Sequence, residues 1–296
     1  MWTTQRFQLS LAKPLIMGIV NVTPDSFSDG GAHFHAREAI RHAQLLVEQG
    51  ADVLDMGAES TRPGSVPVDA AEEWHRLAPV LKEVLTWNVP VSVDTYKPSI
   101  MQQALDLGVD IINDVWALRW KEPSVHSPAA TGVGVLASYE RAGVCLMHMQ
   151  GEPSTMQARP MTEQGLACVD EVKRFLKTRL HVLNGAGVSS DRIIVDPGIG
   201  FGKTPEQNLL WLQNQNLSDD LGCAWLAGWS RKSTLGRVTG VENPQQRLPA
   251  SLAAAVMSLQ AGAKVLRVHD VAQTRQAVQV WNAAKSVTIS VDPKPN

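Results

Sequence analysis

Short apolar runs rich in β-branched residues recur along the chain, and nearly every one stops on a polar residue. LIMGIV ends at Asn21, VLDMGA at Glu59, Ser60 and Thr61, VPVSV at Asp94, and II at Asn113 and Asp114. The second half repeats the pattern: VCLM ends at His148, IIV at Asp196, AWLAGW at Ser230, Arg231 and Lys232, and KVL at Arg267 and His269. Runs this apolar predict eight strands buried on both faces, and hence a parallel sheet.

Longer amphipathic stretches separate these runs: AREAIRHAQLLVEQG, AAEEWHRLAPVLKEVL, PSIMQQALDLG, EQGLACVDEVKRFLKTRLHVLNGAG, PEQNLLWLQNQ, PASLAAAVMSLQAGA and VAQTRQAVQVWNAAKS. Their apolar residues return at three- and four-residue spacing, as at Ile40, Ala43, Leu46 and Val47, so each predicts a helix with one buried face. Parallel strands joined by helices need right-handed crossovers, which leaves an open doubly wound sheet or a closed barrel. Eight units in 296 residues, against roughly 250 for a typical (β/α)8 TIM barrel, favour closure. The expected layout is one α/β barrel domain over 15–288, with a short lead-in over 1–14 and a tail over 289–296. One join is irregular: 117–142 is long for a crossover, and its prolines predict a short helix flanked by loop.

Composition narrows the functional classes. The 27 Lys and Arg against 29 Asp and Glu leave a formal charge of -2, so no global field exists to hold nucleic acid or an anionic membrane, and a small-molecule partner is expected. No stretch approaches the ~18 apolar residues of a membrane span. The opening MWTTQRFQLSLAKP has no apolar signal core, so a cytoplasmic protein is expected. Cys145, Cys168 and Cys223 lack C-x-x-C spacing and are expected as reduced thiols rather than as a disulfide or zinc framework.

Polar residues at the C-terminal strand ends of a barrel face its open mouth, whereas the layers inside are mostly branched and apolar. A single strand-end Asp or Asn is about as often a helix cap as a ligand contact; eight agreeing ends point to a site. NVTPDSFSDGG reads as a loop of turn-forming side chains, and Phe27 among its polar groups suggests a lid. ESTRPG sets Thr61 and Arg62 beside Pro63 and Gly64, suited to an oxyanion or else merely solvated. DPGIGFGKT meets neither the Walker A spacing, which needs Gly at Pro197, nor G-x-G-x-x-G, which needs Gly at Lys203. What remains is the carboxylate of Asp196 and a glycine turn that lets backbone and Phe201 approach a flat ligand. Lys232 in GWSRKST, with Arg267 and His269 on one face of LRVHD, puts cations on strands seven and eight, where many barrels hold phosphate. The alternative is a solvated lysine and a core histidine.

Together MGIVNVTPDSFSDGG, ESTRPG, SVDTYKP, INDV, LMHMQG, DPGIGFGK, SRKS and RVHDV closely resemble the dihydropteroate synthase family, from about Leu15 to the last helix. The resemblance implies a cytoplasmic transferase of folate biosynthesis, a sulfonamide target in its family, that joins 6-hydroxymethyl-7,8-dihydropterin pyrophosphate to 4-aminobenzoate. By resemblance, Asp94, Asn113, Asp196 and Lys232 form the pterin pocket, and Asn21, Thr61, Arg62, Arg267 and His269 hold the pyrophosphate, with Asn21 also a Mg²⁺ ligand. Pro63, Phe201 and Ser233 resemble the aminobenzoate contacts, and Asp29 helps close the site. Catalytic roles fall to Asp94, Asp196, Lys232 and Asp29, and a homodimer through outer helices is implied.

The expected geometry is a single rim, acidic on one flank and cationic on the other. Ala58, where the family usually has a second glycine, and the long 117–142 segment depart from the family pattern. Two pterin-binding alternatives are a methyltransferase acting on a corrinoid, which needs no SRKS and RVH cations, and a catalytically silent paralogue, which needs no pyrophosphate site. A Schiff-base aldolase built on Lys232 lacks an apolar pocket to lower the lysine pKa.

Overall fold

The computed structural model describes residues 1–23, 31–60, 66–121, 131–153, 155–214 and 221–287, with backbone alone at 31–34. Eight parallel strands follow the predicted runs: β3 (Leu15–Asn21), β4 (Val53–Gly57), β5 (Val91–Asp94), β6 (Ile111–Asp114), β7 (Gly143–Met147), β8 (Ile193–Asp196), β9 (Leu226–Ala227) and β10 (Val265–Val268). They pair in the order β8-β7-β6-β5-β4-β3-β10-β9. A parallel bridge from Val195 to Trp225 joins the two ends, and the sheet closes into a (β/α)8 barrel.

Helices α1 (Gly31–Glu48), α2 (Ala70–Val84), α3 (Pro98–Leu107), α4 (Gly132–Ser138), α5 (Leu166–Gly185), α6 (Pro205–Gln213), α7 (Ser233–Thr239) and α8 (Leu248–Gln260) connect the strands, and α9 (Val271–Ser286) follows the last one. The short α7 was not foreseen in the sequence, because SRKS and the glycines around it break any helical period. The 117–142 join contains the expected short helix, α4.

Strand alternation divides the apolar residues into two sets. Ile16, Val20, Leu54, Met56, Val93, Ile112, Leu146, Val195 and Leu266 point outward into the layer shared with the helices. Met17, Val53, Ile111, Cys145, Ile194, Leu226 and Val265 point inward and form one apolar layer across the bore. The lead-in completes that layer. Two short antiparallel strands, β1 (Trp2–Thr3) and β2 (Gln8–Leu9), carry the fully buried Trp2 beneath it. The Trp2 indole donates to the Arg192 carbonyl at 3.0 Å. Arg6 clamps the lead-in, pairing with the buried Asp110 at 2.6 Å and donating to the carbonyls of Leu85 and Val89.

Candidate active site

Two residues beyond the apolar layer, the same inward positions turn polar. Ile111 is followed by Asn113, Ile194 by Asp196, Val265 by Arg267 and Val53 by Asp55. The register pairs Asp94 with Asn113 and Met147 with Asp196, so these groups fall on neighbouring rungs. Asp94, Asn113, Asp196, Phe201, Lys232 and Arg267 line one pocket at the mouth, with Val115, Met147, Ile199 and Gly228 as its apolar walls.

The charges interleave rather than dividing into two flanks. Arg267 donates to Asp55 at 2.6 Å and to Asp94 at 2.7 Å, bridging two carboxylates in the bore. Asn113 donates its amide to the same Asp55 oxygen at 3.1 Å. Burial pushes the Asp94 carboxyl up to about 7 against the pull of Arg267. Asp196 is also raised by burial, although the Gly198 amide at 2.7 Å and the charge of Lys232 oppose the shift. A cup of this kind offers carboxylate and amide acceptors beside cations, suited to a flat heterocycle with N–H donors along one edge.

Backbone geometry brings Lys232 and Phe201 to this cup. Gly200 has φ +82°, and a Cβ there would lie 3.4 Å from Lys232 Cδ; its absence lets the lysine chain run over the turn. The Lys232 ammonium sits 4.2 Å from the centroid of the Phe201 ring. Before it, Arg231 adopts φ 61°, a left-handed conformation unusual for a side chain of this size. Asp270 holds the Arg231 guanidinium through two bonds of 3.0 and 2.6 Å, and Ser251 accepts its backbone N–H at 3.0 Å. That bracing fixes the entry into α7, where Lys232 is the N-cap and the exposed Ser233 is the first helical residue.

The remaining expected residues separate into rim, fold and undescribed groups. Asn21 is exposed at the end of β3, and His269 lies past β10, its Nδ1 3.0 Å from Ser230 Oγ. Both are on the mouth side but outside the pocket lining. Phe27, Asp29, Thr61, Arg62 and Pro63 lie outside the described residues. Three strand-end groups serve the fold. Glu59 is ion-paired with Lys97 and accepts from the Tyr96 hydroxyl and the Val68 amide. Asp114 accepts from the Trp116 and Leu118 amides at 2.8 and 2.6 Å. His148 is buried against Phe175 and bonds Lys203 at 2.9 Å.

The sequence reading missed Asp55, which is fully buried and holds both Arg267 and Asn113. Its signal was present: a carboxylate at the centre of the apolar run VLDMG, in phase with inward-facing Val53.

The profile of pterin binding enzymes matches residues 17–269. The dihydropteroate synthase of Neisseria meningitidis serogroup B is 47% identical over 287 residues, covering 95% of this chain and 96% of its own. Among solved structures, Xanthomonas albilineans dihydropteroate synthase with 4-aminobenzoic acid superposes with a TM-score of 0.84 at 43% identity, over 95% of this chain and 96% of that one. Burkholderia cenocepacia dihydropteroate synthase complexed with 7,8-dihydropteroate gives 0.82 at 39% identity, over 96% of both chains. With the barrel, the acidic cup and these relatives in agreement, the chain belongs to the dihydropteroate synthase family.

Proposed function

We infer that the chain joins 6-hydroxymethyl-7,8-dihydropterin pyrophosphate to 4-aminobenzoate, releasing pyrophosphate and forming 7,8-dihydropteroate. The observation that carries this reading is the convergence of Asp94, Asn113, Asp196, Lys232 and Arg267 on one pocket at the mouth. In this reading the pterin edge donates to the carboxylates of Asp94 and Asp196, while Lys232 and the Asn113 amide meet its carbonyl and ring nitrogens. Arg267 leaves Asp94 to the ligand while keeping Asp55 as its anchor.

The pyrophosphate lies toward Asn21, Thr61, Arg62, Arg267 and His269. Mg²⁺ fits this end because the exposed Asn21 carboxamide is a hard oxygen donor, while the described residues contain no cluster of three or more His, Cys, Asp or Glu able to cage a metal. Such an ion, completed by phosphate oxygens and water, would supply charge neutralisation to the leaving group. Phe201, Pro63 and Ser233 receive 4-aminobenzoate, the first two against its ring and the third near its carboxylate. Sulfonamides, which mimic that substrate, would compete for the same place.

No protein nucleophile is required. As the C–O bond to pyrophosphate breaks, positive charge spreads over the pterin methylene and ring, and the carboxylates of Asp94 and Asp196 stabilise it, with Asp29 closing over the site. Arg267 and His269 take the negative charge of the departing anion. The arylamine nitrogen then attacks the methylene and gives up its proton to the released pyrophosphate, and exclusion of water protects the cation meanwhile.

A homodimer would use outer helices, of which α7, α8 and α9 expose Val238, Met257 and Val280 respectively. A cytoplasmic setting agrees with three unpaired cysteines, and no helix among the described residues is long and apolar enough to cross a membrane. The decisive assay mixes purified protein with the pterin pyrophosphate, Mg²⁺ and labelled 4-aminobenzoate. Coupled product with one pyrophosphate per turnover is expected; binding of both substrates without product would leave a silent pterin-binding protein.

A further inference from the structure

The buried amine of Lys203 has no place in the chemistry above. Its residue is 4% exposed, and its Nζ donates to the Gly198 carbonyl at 2.9 Å, reaches the Phe201 carbonyl at 3.4 Å and lies 2.9 Å from His148 Nδ1. These acceptors are neutral. Burying an ammonium among neutral groups is costly, and a chain that needed only volume here would carry an apolar residue. Burial accordingly pulls the amine down to about 7, with the charge of Asp196 opposing and that of Lys232 reinforcing the shift. His148, held well below its ordinary value by burial and by Lys203, is the neutral acceptor that the amine requires.

The two carbonyls explain the expense. Gly198 and Phe201 belong to one turn, in which the Phe201 amide also donates to Gly198 at 3.1 Å. Gly198 has φ +69°, and a Cβ there would stand 1.8 Å from the His148 carbonyl, so the turn lies directly against the segment after β7. The turn is also tied by the Gly198 amide to Asp196, by Gln157 to the Gly200 carbonyl, by Asn208 to the Gly200 amide and by the Met161 amide to the Gly202 carbonyl, but none of these ties reaches the His148 side chain. Lys203 is the group that reaches from the turn's own carbonyls to the neighbouring strand end. The same turn carries Phe201 into the pocket beneath Lys232.

We propose that Lys203 is a positioning residue for the arylamine half of the site, tying the 198–202 turn to His148 and so fixing the angle at which Phe201 meets the ring of 4-aminobenzoate. This rests on the assignment of Phe201 to that substrate.

The test is a double-mutant cycle of Lys203→Met and Phe201→Ala, read by steady-state kinetics and by equilibrium binding of the bare pterin. Lys203→Met is expected to raise the KM for 4-aminobenzoate roughly tenfold, with kcat within about threefold and the pterin Kd within about twofold. In the Phe201→Ala background the same substitution should add less than about twofold, because the ring it positions is gone. Lys203→Gln, which keeps a neutral donor for the Gly198 carbonyl, should fall between wild type and Lys203→Met, and it replaces that variant if it does not fold.

Full additivity in the cycle would overturn the proposal, as would equal weakening of pterin and arylamine. Failure of both Lys203 variants to fold would make Lys203 a residue of the fold alone and overturn it too. If Phe201→Ala leaves the arylamine KM unchanged, the assignment of Phe201 fails first; if only the Lys203 variants leave it unchanged, that assignment survives and the positioning role does not.

Discussion

The floor and the mouth of the barrel are built by the same strands, two residues apart, and they have opposite chemistry. At the floor, Met17, Val53, Ile111, Cys145, Ile194, Leu226 and Val265 pack around Trp2 in a dry layer. One inward step along those strands stand Asp55, Asn113, Asp196 and Arg267, with Asp94 beside them on β5. The strand period of two makes this possible, since a change of residue type every second position leaves the outward packing against the helices untouched. Stability and chemistry can therefore be altered separately along a single strand.

Substitutions at the two ends test that separation. Trp2→Ala should remove about 3–5 kcal/mol of stability, read as a lower denaturant midpoint, while kcat/KM per folded molecule stays within about twofold. A folded Trp2→Ala protein without activity would show that the two layers are coupled. At the mouth the reverse is expected: Asp196→Asn should lower kcat/KM on the order of a hundredfold and shift the melting temperature little. Wild-type kinetics in that variant would remove Asp196 from the site.

Proton linkage sharpens the contrast, because the raised carboxyls of Asp94 and Asp196 lie at the mouth. Asp94 is raised to about 7 by burial, and pterin N–H donors favour its ionised form. Affinity for the bare pterin should therefore be full above that value and fall by up to about tenfold per pH unit below it. Titration calorimetry across about pH 6 to 8.5 reads the slope, and Asp94→Asn should flatten it. The smallest effect is expected at the rim, where His269→Ala should weaken the pyrophosphorylated pterin roughly fivefold and leave the bare pterin unchanged. Equal weakening of both ligands would take His269 out of the anion site.

Much of this organisation was legible in the sequence. Asp94, Asn113, Asp196 and Lys232 could be found because each ends or follows an apolar run, the one place where a barrel leaves a polar side chain unexplained. Asp55 could not be found by that rule, since it sits mid-strand and only the inward phase shared with Val53 betrays it. His148 obeyed the rule and misled, because Lys203, 55 residues away in sequence, claims its ring nitrogen. Lys203 carries no signal in the sequence beyond interrupting a glycine motif. The Trp2 plug left no periodic signal, its strands being two residues each.

The Trp2 indole also carries a consequence for biosynthesis. Its hydrogen-bond partner lies 190 residues further along the chain, so at ribosomal speeds of 5–20 residues per second it waits roughly 10–40 s for its acceptor to be made. During that interval one edge of β3 has no neighbour either, because β10 is made later still. The nascent chain must therefore hold a bare indole until about two-thirds of its length has emerged, and an unpaired strand edge until the last quarter. That is the stage at which chaperone capture and aggregation compete with closure.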